Sequence, residues 1–336
     1  MPKRLKKFVV FFILLISSHA SAENQEFINW TNQFKIKASQ AGVSKVTIDK
    51  AFARIVFIEK LLVYDRKQPE FIEKTDVYVK KRVTPGRIAK ARNLLSENKD
   101  FLNKIENEFS VPKETLIALW GIETNFGINK GKVDILSALA TLSFDKRRSE
   151  YFSNELLILL KLIDSKKVKI ESMYGSWAGA HGNFQFMPSS IATYAIDYDK
   201  NQTIDLTNSL EDSFASAANY LKQIGWDKNI IWGSKATLEK NISTNLITTD
   251  ARNFRKAMTY EQWKDLGVVS DIKLPPKTLF QLVKPDGTSG PAYLVSNNYQ
   301  KLLHWNRSLR FAIAAGLFSD QLRHDCKPST KISFLI

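Results

Sequence analysis

The chain has a single cysteine, Cys326, in 336 residues. No disulfide can form within it, and the fold must stand on its packed core. Histidine is almost as scarce: His19, His181, His304 and His324 are too scattered to make an HExxH or Cys/His zinc set. A cysteine nucleophile would need Cys326 to meet a histidine near the end of the chain. There is no GxSxG elbow, no Walker loop and no Rossmann glycine fingerprint, so the common nucleophile-elbow and nucleotide-binding architectures fall away. Apart from FVVFFILLI near the start there is no long apolar run, and that one is too short to span a bilayer comfortably.

That run has a second reading. It follows the basic MPKRLKK and precedes the small-residue stretch SSHASA, the order of a secretory signal with an Ala-x-Ala site ending at Ala22. The expected mature chain begins at Glu23, in a bacterial periplasm or beyond, with an uncleaved anchor as the alternative. No cysteine follows the apolar run, so there is no lipoprotein signal. Cleavage would remove Lys3, Arg4, Lys6 and Lys7 and no acids, lowering the formal charge from +15 to +11. Such a basic chain favours anionic partners. With no nucleic-acid motif in an exported chain, cell wall or envelope is preferred over nucleic acid.

The remaining composition, 44% hydrophobic and 25% charged, is that of a globular protein of one large or two to three small domains. From Glu23 to about Asn107 the pattern is helical, with Pro69 and the Thr84-Pro85-Gly86 turn as breaks and Thr84 as a helix N-cap. From Val111 to about Trp232 helices alternate with glycine-rich turns. Between about Thr237 and Tyr299 short β-branched stretches and turn pairs such as Asp286-Gly287 mark a β-containing insert. LLHWNRSLRFAIAAGLFSDQL then returns to helix and is expected to pack back on the first domain. The expected division is a signal peptide at 1–22, a discontinuous helical domain at 23–107 plus about 300–325, a core at 108–236 and a small insert at 237–299.

Chemistry concentrates in two stretches. In LIALWGIETNFG, Leu116, Leu119, Trp120 and Glu123 share one face at helical spacing, which aligns an acid with side chains that should be buried. Burial without a cationic partner raises a carboxyl's pKa, and that is how a glutamate becomes a general acid near neutral pH. Gly127 is expected at the left-handed position that ends the helix, leaving Glu123 in its last turn. The alternative is a core helix whose glutamate reaches solvent or pairs with a base. In YGSWAGAHGNFQFMPSS, glycines at 175, 179 and 182 surround Trp177, with Ser176 and Gln185 offering neutral hydrogen-bonding groups. That texture suits a sugar groove, or a plain connection before a helix.

GIETNFG, GSWAGAHGNFQFMPSS and LEDSFASAANYLKQIGW, in this order, resemble the membrane-bound lytic murein transglycosylase B family. The likeness continues in LLVYDRKQPEF, YVKKRVTPGR and YLVSNNYQKLLHWNRSLRFAIA and covers almost all of the expected mature chain. It implies a mainly α fold: a lysozyme-like α core with an N-terminal helical domain and a small β-containing insert. It implies Glu123 as the single catalytic acid and Ser176 as the serine that orients it. Gln185 and Asn306 match residues holding the substrate's acetamido and sugar groups, and Tyr78 and Tyr220 match tyrosines lining the cleft. Arg147, Arg148 and Tyr151 match the segment near the stem peptide, where a guanidinium fork suits carboxylates; a solvated basic turn is the alternative.

His181 departs from the apolar residue usual in the family and is expected to be packed or at the surface, without a catalytic role. Trp305 and Phe311 stand where tyrosine is frequent, which should remove hydroxyl contacts and keep stacking surface. The run DYDKNQTID has oxygen donors at alternate positions, as a calcium loop does. The resemblance implies an EF-hand-like site from Asp197, Asp199, Asn201 and Thr203, closed by Glu211 or Asp212, although Gln202 replaces the turn glycine. The alternative is a solvated acidic turn.

The reaction implied is cleavage of peptidoglycan between N-acetylmuramic acid and N-acetylglucosamine to a 1,6-anhydromuramyl end. Glu123 acts as acid and then as base, with no cofactor for catalysis and a structural Ca2+ as the one ion suggested. The expected partner is murein itself, with envelope or wall-synthesis proteins beside it, and the expected state is a monomer. Two rivals stand. A lysozyme-like hydrolase needs a second carboxylate, for which Asp134 and Asp145 are candidates; a wall-binding scaffold needs no acid on an apolar stripe.

Overall fold

A computed structural model gives the structure of residues 25–66 and 73–323. The expected signal peptide, Pro69, His324 and Cys326 lie outside the described residues. The helices run in order as α1 (25–40), α2 (Lys45–Phe52), α3 (Lys60–Arg66), α4 (Thr75–Arg82), α5 (Pro85–Glu97), α6 (Lys99–Phe109) and α7 (Lys113–Thr124). After strand β1 (Val133–Asp134) come α8 (Ile135–Phe144), α9 (Ser149–Asp164), strand β2 (Tyr174–Gly175), α10 (Pro188–Tyr194) and α11 (Leu210–Gln223). The β-rich region then holds β3 (Gly233–Leu238), β4 (Ile247–Thr248), β5 (Met258–Thr259), α12 (Tyr260–Asp265), β6 (Val268–Ser270), β7 (Leu279–Val283) and β8 (Ala292–Val295), and α13 (Asn297–Trp305) and α14 (Leu309–Arg323) follow. The fold is mainly α with a small sheet, as the resemblance implied.

The chain forms two compact units. Among the described residues one comprises 25–66, 130–193 and 199–208, the other 73–129, 194–198 and 209–323. In the first, α8 packs on α9 and α3, and α9 also packs on α2. The long α8 is buried along nearly its whole length, from Ile135 to Ser143, which explains its run of apolar and small residues. Its N-cap is Asp134, whose side chain accepts from Ser137 N–H and also pairs with Arg54 at 2.6 Å.

In the second unit α14 packs on α4, α5, α7 and α13. Gly316 permits this because a Cβ there would lie 2.2 Å from the Trp232 ring, and the Trp232 indole donates to Asp320 at 2.7 Å. Thr84 caps α5 through Arg87 N–H, with Pro85 at the first helical position. The helical run that follows breaks at Asn98 into α5 and α6. The sheet of this unit has strand order β4-β7-β8-β3-β6, with β5 on β7; all pairings are antiparallel except β4 with β7. Its core is Trp263, Val268, Phe280, Leu282 and Leu294, all fully buried, and the Trp263 indole donates to the Phe280 carbonyl at 2.9 Å. It begins at Gly233, a few residues before the expected start of the insert.

The N-terminus of α4 lacks a side-chain cap of its own. Asp286, from the turn after β7, supplies one by accepting from Thr75 N–H at 2.8 Å and from Arg310 of α14 at 2.7 Å. Burial alone would raise the Asp286 carboxyl, but these bonds outweigh it and hold it below the usual carboxylate range. The helix so fixed carries Tyr78.

Candidate active site

Helix α7 is buried on every side from Thr115 to Gly121, not only along the expected stripe of Leu116, Leu119 and Trp120, and leaves Glu123 half-buried in the last turn. The stop comes earlier than expected. Asn125, not Gly127, is the left-handed cap (φ 52°), with its N–H on the Gly121 carbonyl and Phe126 N–H on that of Trp120. Asparagine tolerates this conformation, and Phe126 and Gly127 continue it at φ 60° and 79°.

The indole N–H of Trp305, at the end of α13, donates to Glu123 Oε1 at 3.0 Å. The tryptophan thus adds to its stacking surface a contact the sequence reading did not name, because the indole carries a donor of its own. Its ring stands edge-on against Tyr220 with centroids 4.8 Å apart, and Tyr220 in turn meets Tyr194 at 4.3 Å. Burial pushes the Tyr220 phenol well above its usual range. That hydroxyl donates to the His304 carbonyl at 3.1 Å and meets His304 Nδ1 at 3.0 Å. Asn306 follows as the C-cap of α13. Tyr78 is 1% exposed, with the Arg82 guanidinium 3.4 Å over its ring. This unit therefore brings Glu123 and Tyr220 together through Trp305, which Asn306 follows in sequence.

In the other unit, Ser176 lies in a tight loop. Its N–H donates to the Ala180 carbonyl at 2.8 Å, and its Oγ accepts from Ala180 N–H at 3.0 Å. Gln185 is left-handed at φ 52°. Its amide nitrogen donates to the carbonyls of Gly182 at 2.9 Å and Lys130 at 3.1 Å, so Oε1 is the atom left to meet a ligand. The loop also presents Trp177, edge-on to the exposed Tyr64 at 6.5 Å. His181 is 2% exposed. Its Nδ1–H donates to the Tyr174 carbonyl at 3.0 Å, which leaves Nε2 to accept from the Thr207 hydroxyl at 3.3 Å. Burial holds its pKa below the usual value despite the Tyr174 carbonyl, as befits a packed neutral histidine.

Arg147 and Arg148 both bind Asp65, whose side chain is 2% exposed; Arg147 Nε reaches it at 2.8 Å, and Arg148 also lies over Phe152. One of their two positive charges is thus balanced inside the protein, while Tyr151 stays exposed beside them. Asp65 lies 82 positions from Arg147, and no local signal marks it as the partner. Asp65→Asn will lower stability by about 2 kcal/mol in thermal or urea unfolding, since the half-exposed guanidinium groups can turn partly to water; an unchanged midpoint would contradict this clamp. Asp134 and Asp145, the candidate second carboxylates, are engaged by Arg54 and Arg66.

The acidic run has the backbone of a cation loop. Lys200 and Gln202 are left-handed at φ 61° and 73°, while Asp199 accepts from Asn201 N–H at 3.1 Å and Asn201 Oδ1 from Thr203 N–H at 3.0 Å. Gln202 therefore adopts the conformation for which glycine is usual. In the second unit Asp197 and Asp212 bring carboxylate oxygens within 4.8 Å. Asp212 is fully buried and accepts Tyr198 N–H at 2.8 Å, whereas Glu211 is exposed. An all-oxygen donor set of this kind fits a hard divalent cation. Gln202→Gly will raise the thermal midpoint by about 1–2 °C by removing left-handed strain. A lower midpoint would mean that the glutamine side chain holds the loop.

A mainly helical chain with a small sheet and a half-buried acid braced by aromatic rings defines a lysozyme-like protein. The chain belongs to the Transglycosylase SLT domain family, whose model matches residues 26–320. It is 32% identical over 239 residues to membrane-bound lytic murein transglycosylase B of Escherichia coli K12, which covers 70% of this chain and 64% of that protein. The chain thus spans a little under two thirds of that relative's length. Among solved structures, SltB3 from Pseudomonas aeruginosa in complex with NAG-anhNAM-pentapeptide superposes with a TM-score of 0.81 at 31% identity, over 88% of this chain and 79% of that one. Slt35 from Escherichia coli in complex with calcium gives 0.74 at 28%, over 87% and 92%. No helix among the described residues is long and apolar enough to cross a membrane.

Proposed function

We propose that the chain is an exported, periplasmic lytic transglycosylase that cleaves the β-1,4 bond between N-acetylmuramic acid and N-acetylglucosamine in peptidoglycan and leaves a 1,6-anhydromuramyl end. The observation that carries this reading is the placing of Glu123: half-buried in the last turn of an apolar helix, with a neutral indole donor on one oxygen. A donor without charge does not by itself commit the carboxyl to the ionised form, which suits an acid that must become a base. Support comes from the relatives, one of which was solved with an anhydro-muramyl ligand.

The neutral Glu123 carboxyl gives its proton to the leaving glycosidic oxygen as the C1–O4 bond breaks. The substrate's own 2-acetamido oxygen stabilises the cation developing at C1. Glu123, now a carboxylate, takes the proton of the C6 hydroxyl as O6 bonds to C1, which regenerates the acid without water. Ser176, Gln185, Asn306, Tyr78, Tyr220, Tyr151, Arg147 and Arg148 are the proposed substrate-binding residues, with Gln185 Oε1 suited to an acetamido N–H. The proposed division keeps 108–236 as the lysozyme-like core, 23–107 with about 300–325 as the helical domain and 237–299 as the insert. Asp197, Asp199, Asn201, Thr203 and Asp212 would hold a structural Ca2+, which would supply rigidity and no catalytic step. The proposed working state is a monomer, exported by a signal peptide cleaved after Ala22.

The test is digestion of purified sacculi followed by mass spectrometry of the soluble fragments. Anhydromuropeptides are expected. Reducing muramyl ends alone would make the protein a hydrolase, and sacculus binding without release would make it a scaffold.

A further inference from the structure

We propose that Trp305 is a positioning residue for Glu123, and that its indole N–H fixes the carboxyl with the exchangeable proton on Oε2. The inference rests on the reading of Glu123 as acid and base, and adds to it the atom that does the work. At 3.0 Å the Nε1–Oε1 distance is that of an ordinary N–H···O hydrogen bond. Indole nitrogen can only donate. Oε1 therefore accepts from the indole, and because a carbonyl oxygen is the better acceptor this bond favours the neutral acid with its proton on Oε2. A tyrosine hydroxyl at this place could donate or accept and would leave the choice of oxygen open.

The indole is also held against rotation. Its ring is edge-on to Tyr220 at 79°, and Tyr220 is edge-on to Tyr194 at 77°. The Tyr220 phenol spends its one hydrogen on the His304 carbonyl. His304 Nδ1 must then be the donor in its contact with the same oxygen, so a second bond pins the ring. His304 and Trp305 are neighbours on α13, and the brace thus closes on the residue it supports. The titratable side chains along this train are Glu123 on α7, Tyr220 on α11, Tyr194 on α10 and His304 on α13. The donor itself carries no charge at any working pH. A cation in its place would hold Glu123 ionised, whereas an indole orients the acid and still lets it be protonated.

The experiment pairs kinetics with indole 1H–15N spectra of the full chain. Trp305→Phe keeps a ring against Tyr220 and removes only the donor. It is expected to lower kcat on murein about tenfold with KM within about twofold, and to move the basic limb of kcat/KM up by about one pH unit, because the carboxylate loses a charge-assisted bond. Trp305→Tyr should recover part of the rate. In the wild type the Trp305 indole resonance, assigned by its loss in Trp305→Phe, should shift as Glu123 titrates and stop responding in Glu123→Ala. An indole resonance indifferent to Glu123, or a Trp305→Phe enzyme with wild-type kcat and pH profile, overturns the proposal. So does a loss of rate that tracks a lowered melting point with the pH profile unmoved. A wild type inactive on murein whose Trp305 resonance still follows Glu123 would instead overturn the enzymatic reading and leave the hydrogen bond standing.

Discussion

Glu123→Gln will release no more than about a thousandth of the wild-type anhydromuropeptide per unit time, while keeping the fold and binding to sacculi. The substitution is nearly isosteric. Its amide oxygen can still accept the Trp305 N–H now given to Oε1, and the residue is half-buried at a helix end, so little packing changes. What disappears is the acidic proton and the basic carboxylate together. A positioned acid or base contributes about 10²–10⁴ in rate, and in the proposed reaction one group serves both steps, which puts the expected loss in the upper part of that range. Turnover and sacculus pull-down on the same preparations check it, with the unfolding midpoint as control. A variant that keeps a tenth of the activity would show that another group transfers the proton.

Much of this arrangement could be read from local signals. Thr84-Pro85 marks a helix start because a hydroxyl cap followed by a fixed φ serves that position and few others. The place of the glutamate in the last turn of α7 follows from spacing alone, but the single apolar face read there does not hold, since the helix is buried on every side from Thr115 to Gly121. The family motifs supplied the mainly α architecture. Where reading along the chain failed, the cause was either a local conformation with two solutions or a partner far away in sequence. Asn125 and Gly127 could both end α7, and the nearer one does so. Trp305 lies 182 positions from Glu123, and Asp65 83 positions from Arg148; neither pairing leaves a trace in local periodicity. The Trp305 donor could still have been anticipated, since an indole replacing a phenol exchanges one hydroxyl for one N–H.

Gly175→Ala will disable the Ser176 loop and destabilise the protein by about 3 kcal/mol, although the residue touches no substrate group itself. A Cβ at 175 would lie 2.0 Å from the Ala180 carbonyl oxygen, and one at Gly131 would lie 2.0 Å from the carbonyl oxygen of Gly175, so backbone meets backbone on both sides. The strand pairing of Gly175 with Val133 and its bridge to His181 hold it in that gap. The added methyl must drive the Ala180 carbonyl away by more than an ångström to reach ordinary contact, roughly the shift that costs a hydrogen bond. That carbonyl is the acceptor for Ser176 N–H, and the same Ala180 gives its own N–H to Ser176 Oγ. Both bonds between the serine and Ala180 therefore fail together, leaving only that from Gly179 N–H to the Ser176 carbonyl, and murein turnover should fall at least tenfold at temperatures where the variant is still folded. Ser176→Ala is the comparator for the rate, since it removes the hydroxyl while leaving the backbone in place. Gly86→Ala is the comparator for stability: nothing lies within 4 Å of its Cβ position, and in the first turn of α5 it should gain a few tenths of a kcal/mol. Equal stability of the two glycine variants by urea unfolding would show that the 131–175–180 backbone contact is looser than drawn, and that Ser176 owes its placing to something else.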